Sequence, residues 1–112
     1  MKSFSQRRSQ LQEKRLAEEI GGRVQPASGA MDFAKGDVRI AGVVRIECKT
    51  TSKASYILKV AELKKIQNEA LLGGDDDWAM QIEFQGQAGL NKRVAVIDWY
   101  AYEQLRKDAS NR

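Results

Sequence analysis

The sequence predicts a single α/β domain with a mixed, roughly five-stranded central sheet flanked by helices. Three observations lead there. The periodic segments run in the order α-β-β-β-α-β-β-α, so strands interleave with helices. Two stretches, Val44 to Lys49 and Trp78 to Gln85, alternate apolar and polar residues as a sheet requires. A chain of 112 residues suffices for one modest core but not for two.

Met1 to Ser9 is polar and basic, with Lys2, Arg7 and Arg8. A helix follows from about Ser5 or Ser9 to Ile20 and ends at Gly21-Gly22. At about 100° per residue, Leu16, Ala17 and Ile20 form its buried stripe. Glu13 lies in the middle of that stripe, whereas Glu18 and Glu19 point away. A carboxylate facing a core is costly unless it is paired or binds a metal, so Glu13 is the anomalous acid. The other reading puts it at the stripe's solvent edge, paired with a base such as Arg23. Arg23 to Gln25 reads as a short strand leading to the loop Pro26-Ala-Ser-Gly29, and Ala30 to Gly36 as loop.

The chain is organised around Lys35 to Thr51, which reads as a β-hairpin. Asp37 to Ile40 is one strand, Ala41-Gly42-Val43 the turn region, and Val44 to Lys49 the second strand. Val44, Ile46 and Cys48 share one face, and Arg45, Glu47 and Lys49 the other. Pairing Ile40 with Val44 and Val38 with Ile46 keeps the apolar face continuous and sets Asp37 opposite Glu47. A one-residue slip would mix the faces. Opposed Cβ atoms lie about 4.5–5.5 Å apart, and two carboxylates that close repel unless a cation sits between them. Lys49 follows on the same face. Asp32 competes for the metal role, but the register favours Asp37.

Two acids and a lysine converging on one point suit metal-assisted hydrolysis of a phosphodiester. Hard oxygen ligands hold Mg²⁺, for which Mn²⁺ substitutes, and the ion takes remaining contacts from substrate phosphate. Lys49 would orient the attacking water or steady the charged transition state. The plainer reading of Glu47 and Lys49 is a solvated, salt-bridged strand face.

Thr50 to Tyr56 is a run of hydroxyls with Lys53 and one aromatic, suited either to gripping a sugar-phosphate backbone or to a plain polar loop. A second helix spans about Val60 to Leu72, with Val60, Leu63, Ile66 and Ala70 inward and Lys59, Lys64 and Lys65 around its outer side. Gly73-Gly74 closes it, and Asp75-Asp76-Asp77 reads as a solvated turn. In the strand Trp78 to Gln85, Trp78, Met80, Ile82 and Phe84 face inward. Gly86 to Asn91 turns into a partner strand, Arg93 to Ile97. Asp98 caps a final helix, Trp99 to about Lys107, whose aromatics are expected to pack back on the sheet.

Composition narrows the chemistry. The net charge is +4 with 30% charged residues, which fits a polyanionic partner. There is no histidine, so histidine base catalysis is excluded, and the lone Cys48 excludes an internal disulfide or a cysteine zinc cluster. Cys48 reads as a packing residue, consistent with a reducing cytosol. No apolar run reaches membrane length, and a cytoplasmic location without membrane attachment is expected.

Asp37 … Glu47-Cys-Lys49 resembles the core of the PD-(D/E)xK nuclease superfamily. Pro26-Ala-Ser-Gly29 is similar to the Ser-Gly loop of the archaeal-type Holliday-junction resolvases within it. The similarity runs from about Glu13 to Tyr56, with Gly36 standing where the superfamily's name has proline. Proline there does no chemistry. The resemblance implies a restriction-endonuclease-like domain over residues 1–112 that cleaves four-way DNA junctions with Mg²⁺. It implies that Asp37, Glu47 and Glu13 bind the metal, that Lys49 assists the nucleophile, and that Ser28 contacts the scissile phosphate. Arg7, Arg8, Lys35, Thr50, Lys53 and Tyr56 are the candidate DNA contacts. A homodimer is implied, in a phage or prokaryotic host cell. The alternatives are a PD-(D/E)xK nuclease without junction preference and a nucleic-acid-binding module without catalysis.

Overall fold

The computed structural model describes residues 4–25, 37–88 and 93–111. The elements are α1 (Phe4–Ile20), β1 (Arg23–Val24), β2 (Asp37–Ile40), β3 (Val44–Thr51), α2 (Val60–Gly73), β4 (Asp77–Phe84), β5 (Arg93–Ile97) and α3 (Trp99–Ser110). The five strands form one mixed sheet in the order β1-β2-β3-β4-β5. β3 and β4 are parallel, joined by α2 as the crossover that a parallel pair requires, and the other neighbours are antiparallel. The α/β class and strand number agree with the sequence reading.

The hairpin has the register that its apolar pattern demands. Asp37 pairs with Glu47, Val38 with Ile46, Arg39 with Arg45 and Ile40 with Val44. Gly42 makes the turn possible. Its φ of 79° lies in the left-handed region, where side chains are strained, and the Val43 N–H closes the turn on the Ile40 carbonyl at 2.9 Å.

Both faces of the sheet are covered. On one, Leu16 and Ala17 of α1 pack with Val38 and Cys48, with Ile20 and Ile46 at the margin. Gly22 lets α1 end close against β2, since a Cβ there would lie 2.8 Å from the Arg39 carbonyl oxygen. On the other face, Ile66 of α2 packs with Met80 and Ile82, and Tyr56, Trp78, Phe84, Val94 and Val96 complete the cluster.

Three expectations need correction. The first concerns α3, whose aromatics do not pack back on the sheet: none of its residues is buried, and Trp99, Tyr100, Tyr102 and Leu105 are exposed. Only Asp98 separates β5 from α3, too little chain to fold the helix back across the strands. The second is Val60, which is exposed at the start of α2, while Ile66 and Ala70 below it are buried as expected. The third is Asp75, which is not solvated. It is buried, accepts Arg39 Nε at 3.0 and 2.8 Å, and takes the Gly42 N–H at 2.8 Å. The Arg39 bond holds the Asp75 carboxyl below the usual carboxylate range despite desolvation, with the Gly42 bond adding to it.

Asp75 thus ties the start of β4 to the hairpin turn that sets the register. Asp75→Ala should cost about 1.5–3 kcal/mol in urea unfolding, the range for hydrogen bonds to a charged group. Asp76→Ala, at an exposed position, should stay within about 0.5 kcal/mol. Equal midpoints for the two variants would contradict this role for Asp75.

Candidate metal centre

The site forms on the α2 side of the sheet. Asp37 opens β2, and Glu47 lies directly opposite on β3. Both are buried, Glu47 to 3% exposure. Glu69 reaches them from α2, one residue before the buried Ala70. Asp37, Glu47 and Glu69 each offer an oxygen, and these atoms all lie within 4.8 Å of one another.

Among the described residues, three cations surround these acids. Arg45 Nε lies 2.6 Å from Asp37 Oδ2 and 3.7 Å from Glu69 Oε1. Lys49 Nζ lies 3.4 Å from Glu47 Oε2 and 3.5 Å from Glu62 Oε2. Lys65 Nζ lies 3.8 Å from Glu47 Oε1 and 3.6 Å from Glu69 Oε2. Among the described residues, four carboxylates (Asp37, Glu47, Glu62 and Glu69) thus meet three cations, which leaves one negative charge in excess among them when all are ionised.

Glu47 is the acid whose ionisation this surplus disfavours. Burial is the main cause of its raised pKa, followed by the hydrogen bond with Asp37 and repulsion from that carboxyl. Lys49 and Lys65 pull the other way, and the balance is about 7. Oε1 of Glu47 and Oε1 of Glu69 have no hydrogen-bond partner among the described residues.

A hard divalent cation fits this donor set. It would take oxygen ligands from Asp37, Glu47 and Glu69, two of which carry an unsatisfied oxygen, and relieve the repulsion that now retains a proton. Lys65 is 58% exposed at its side chain and makes only long contacts, so it can withdraw into solvent.

The remaining sequence candidates are distributed as follows. Glu13 is buried, as its place on the stripe requires, but on α1, which covers the opposite face with Leu16 and Ala17. It is not one of the three mutually close acids. Burial first and the Glu13 charge second push the Cys48 thiol up, so Cys48 stays protonated among the core residues. Thr50 donates to the Glu83 carbonyl at 3.3 Å and accepts from Gln85 Nε2 at 3.4 Å, beside the α1-facing Glu83 that Arg15 pairs. Tyr56 is half-buried and donates to Glu62 Oε2 at 2.8 Å. Lys53 is exposed in the bend after β3, Arg7 is exposed near the start of α1, and Arg8 beside it is half-buried. Ser28 and Lys35 lie outside the described residues, as does Asp32.

Sequence reasoning missed Glu62, Lys65 and Glu69. Their spacing at i, i+3 and i+7 puts them on one stripe of α2 next to Ile66 and Ala70, which was the available signal. It also missed Gln12. That fully buried side chain donates to the Lys49 carbonyl at 3.0 Å and to the Gln81 carbonyl at 3.3 Å, pinning the backbone that carries the lysine.

No family model, no curated protein and no solved structure matches the chain. Among the described residues, no helix is long and apolar enough to cross a membrane.

Two outcomes test the site. Without divalent ions, the folded protein holds a proton on Glu47 between the ordinary carboxylate pKa, 4.5, and about 7. The Glu47 contribution to stability is therefore present at low pH and lost as pH rises through that window. Urea midpoints in EDTA should fall from pH 5 to pH 8 more steeply in the wild type than in Glu47→Gln; parallel curves would refute the shift. In Mn²⁺ titration calorimetry, Glu69→Gln should weaken binding about tenfold or more, and Glu13→Gln, on the other face, much less. The reverse order would make Glu13 the third ligand.

Proposed function

We propose that the chain is a metal-dependent, structure-selective DNA endonuclease, most simply a Holliday-junction resolvase acting as a homodimer. The observation that carries this reading is the buried Asp37–Glu47 pair, with its orphaned Oε1 and the Lys49 ammonium 3.4 Å from the same carboxyl. The order Asp37 … Glu47-x-Lys49 across a hairpin resembles the PD-(D/E)xK pattern, and the +4 net charge suits a phosphate backbone.

Asp37, Glu47 and Glu69 would hold Mg²⁺ or Mn²⁺. A cation so held supplies charge neutralisation at phosphate and a more acidic water. The protein's own groups do the rest. Arg45 fixes the Asp37 carboxylate through a 2.6 Å contact. Lys49 presents a compact ammonium beside Glu47, placed to meet charge that develops on a phosphate oxygen. Gln12 holds the strand beneath it. A four-way junction presents two symmetry-related strands, so two copies about a two-fold axis match the substrate. The cytoplasm of a prokaryotic or phage-infected cell is where such DNA occurs.

One observation favours a second reading, a nucleic-acid-binding module whose buried ion pairs are structural. Arg45 and Lys65 already partner the acids that would take the metal.

The two readings part in one experiment, with a labelled four-way junction and a matching linear duplex in Mg²⁺ or EDTA. The junction should be cut in Mg²⁺ alone. Asp37→Asn and Glu47→Gln should abolish cutting and leave junction binding intact or slightly tighter, since each removes negative charge near phosphate. Lys49→Ala should slow single-turnover cutting about 100-fold or more with affinity little changed; a pure phosphate contact would instead cost affinity and about one unit of salt slope. Full turnover by either carboxylate variant would overturn the assignment. Light scattering should give a dimer, and a 12.6 kDa monomer that persists on the junction would leave nicking without junction resolution.

A further inference from the structure

The proposed chemistry needs the Lys49 ammonium at one place. Its flexible four-carbon stem does not put it there unaided. Beside Glu47 alone, the ammonium could fold into the space between Asp37 and Glu47 and compete there with a cation. The structure has a second anchor on the opposite side. We propose that Glu62, locked by the Tyr56 hydroxyl, is a positioning residue that holds the Lys49 ammonium at the outer edge of the Glu47 carboxylate, clear of the metal locus; this rests on the cleavage reading above.

Four features argue for it. Lys49 Nζ is shared almost equally, 3.4 Å from Glu47 Oε2 and 3.5 Å from Glu62 Oε2. Both oxygens of Glu62 are occupied, since Tyr56 Oη donates to Oε2 at 2.8 Å and the Lys59 N–H reaches Oε1 at 3.4 Å. The Tyr56 ring is itself fixed, packed against the cluster of Ile66, Met80 and Ile82. Charge agrees with the geometry. Burial works against ionisation of Glu62, but the bonds from Tyr56 and Lys59 and the Lys49 charge outweigh it and hold the carboxyl below its usual range. The anion that attracts Lys49 therefore persists at neutral pH.

Glu62 also caps α2, so the test must separate positioning from folding. Tyr56→Phe leaves the cap intact and removes only the bond to Oε2, while Glu62→Gln keeps the shape and removes the charge. Both should lower the single-turnover cleavage rate at saturating protein and Mg²⁺ about 10- to 100-fold, the cost of a misplaced reacting group. The half-saturating junction concentration should stay near wild type, and urea unfolding should show both variants fully folded under the assay conditions. The double variant should be no slower than Glu62→Gln. In a Lys49→Ala background both effects should vanish, because the residue acted upon is gone. The same fold loss with and without Lys49 would overturn the proposal, and so would wild-type rates in both single variants.

A readout without DNA separates this inference from the cleavage reading. Relaxation of the Lys49 side-chain ¹⁵N signal should show an ordered ammonium in the wild type and a mobile one in Tyr56→Phe and Glu62→Gln. If the wild type cuts no substrate but Lys49 loosens in the variants, the cleavage reading falls and the positioning stands. If the wild type cuts and the variants leave both the mobility of Lys49 and the rate unchanged, the positioning falls alone.

Discussion

The facing of Asp37 and Glu47 across a two-stranded ladder is the constraint on which the surrounding structure depends. Two carboxyls that share a hydrogen bond in a site 3% exposed at Glu47 would repel strongly if both were ionised. The neighbourhood answers with Arg45 against Asp37, Lys49 and Lys65 against Glu47, and a proton that Glu47 retains up to about pH 7. None of this survives a register slip. Moving β2 by one residue would turn Asp37 toward α1 and bring Val38 among the charges. The turn at Gly42 and the Asp75 clasp on Arg39 and the Gly42 N–H therefore belong to the site as much as to the fold.

The two faces of the sheet divide the labour. On the α2 side, one helix supplies Glu62, Lys65 and Glu69 around β3, so the charge pattern is set by the angle at which α2 lies on the sheet. On the α1 side, Gln12 grips the Lys49 and Gln81 carbonyls and Arg15 pairs with the buried Glu83. That side carries no cluster of three mutually close acids among the described residues. It fixes the strand backbone behind Lys49, support that the proposed role of that side chain would need as much as its own contacts.

The hairpin was legible because its information is local. Alternating Val38, Ile40, Val44 and Ile46 admit one register, and that register places Asp37 against Glu47 with no knowledge of the rest of the chain. The burial of Glu13 was legible for the same reason, through its phase on α1. Which face of the sheet α1 would cover was not, because helix phase says which side of a helix is inward and nothing about the layer it joins. Lys65 read as an outer residue since it borders the apolar stripe of α2, and a long stem at such a border can turn either way. Asp75 read as solvated because its partner Arg39 is 36 positions away. The aromatics of α3 carried a pattern of burial, but a single linking residue after β5 withholds the surface that they would need.

Whether the buried charges serve stability or chemistry can be argued from their balance. A buried ion network retained for structure gains little over well-packed apolar residues, and then only when its groups are fully paired. Here pairing is incomplete. Among the described residues of this network the carboxylates outnumber the cations four to three, and its unsatisfied atoms are Oε1 of Glu47 and Oε1 of Glu69, two residues of the close triad. The third acid, Asp37, is held to Arg45 at 2.6 Å and is the best satisfied of the three. The deficit therefore falls on Glu47 and Glu69: Lys65 reaches Glu47 Oε1 from solvent at 3.8 Å and Arg45 lies 3.7 Å from Glu69 Oε1, both too far for good hydrogen bonds. A purely structural network has no reason to leave two buried carboxylate oxygens so loosely partnered. A site that exchanges Lys65 for a divalent cation, as proposed, would have one, because the ion must displace something held loosely and find oxygens not already committed.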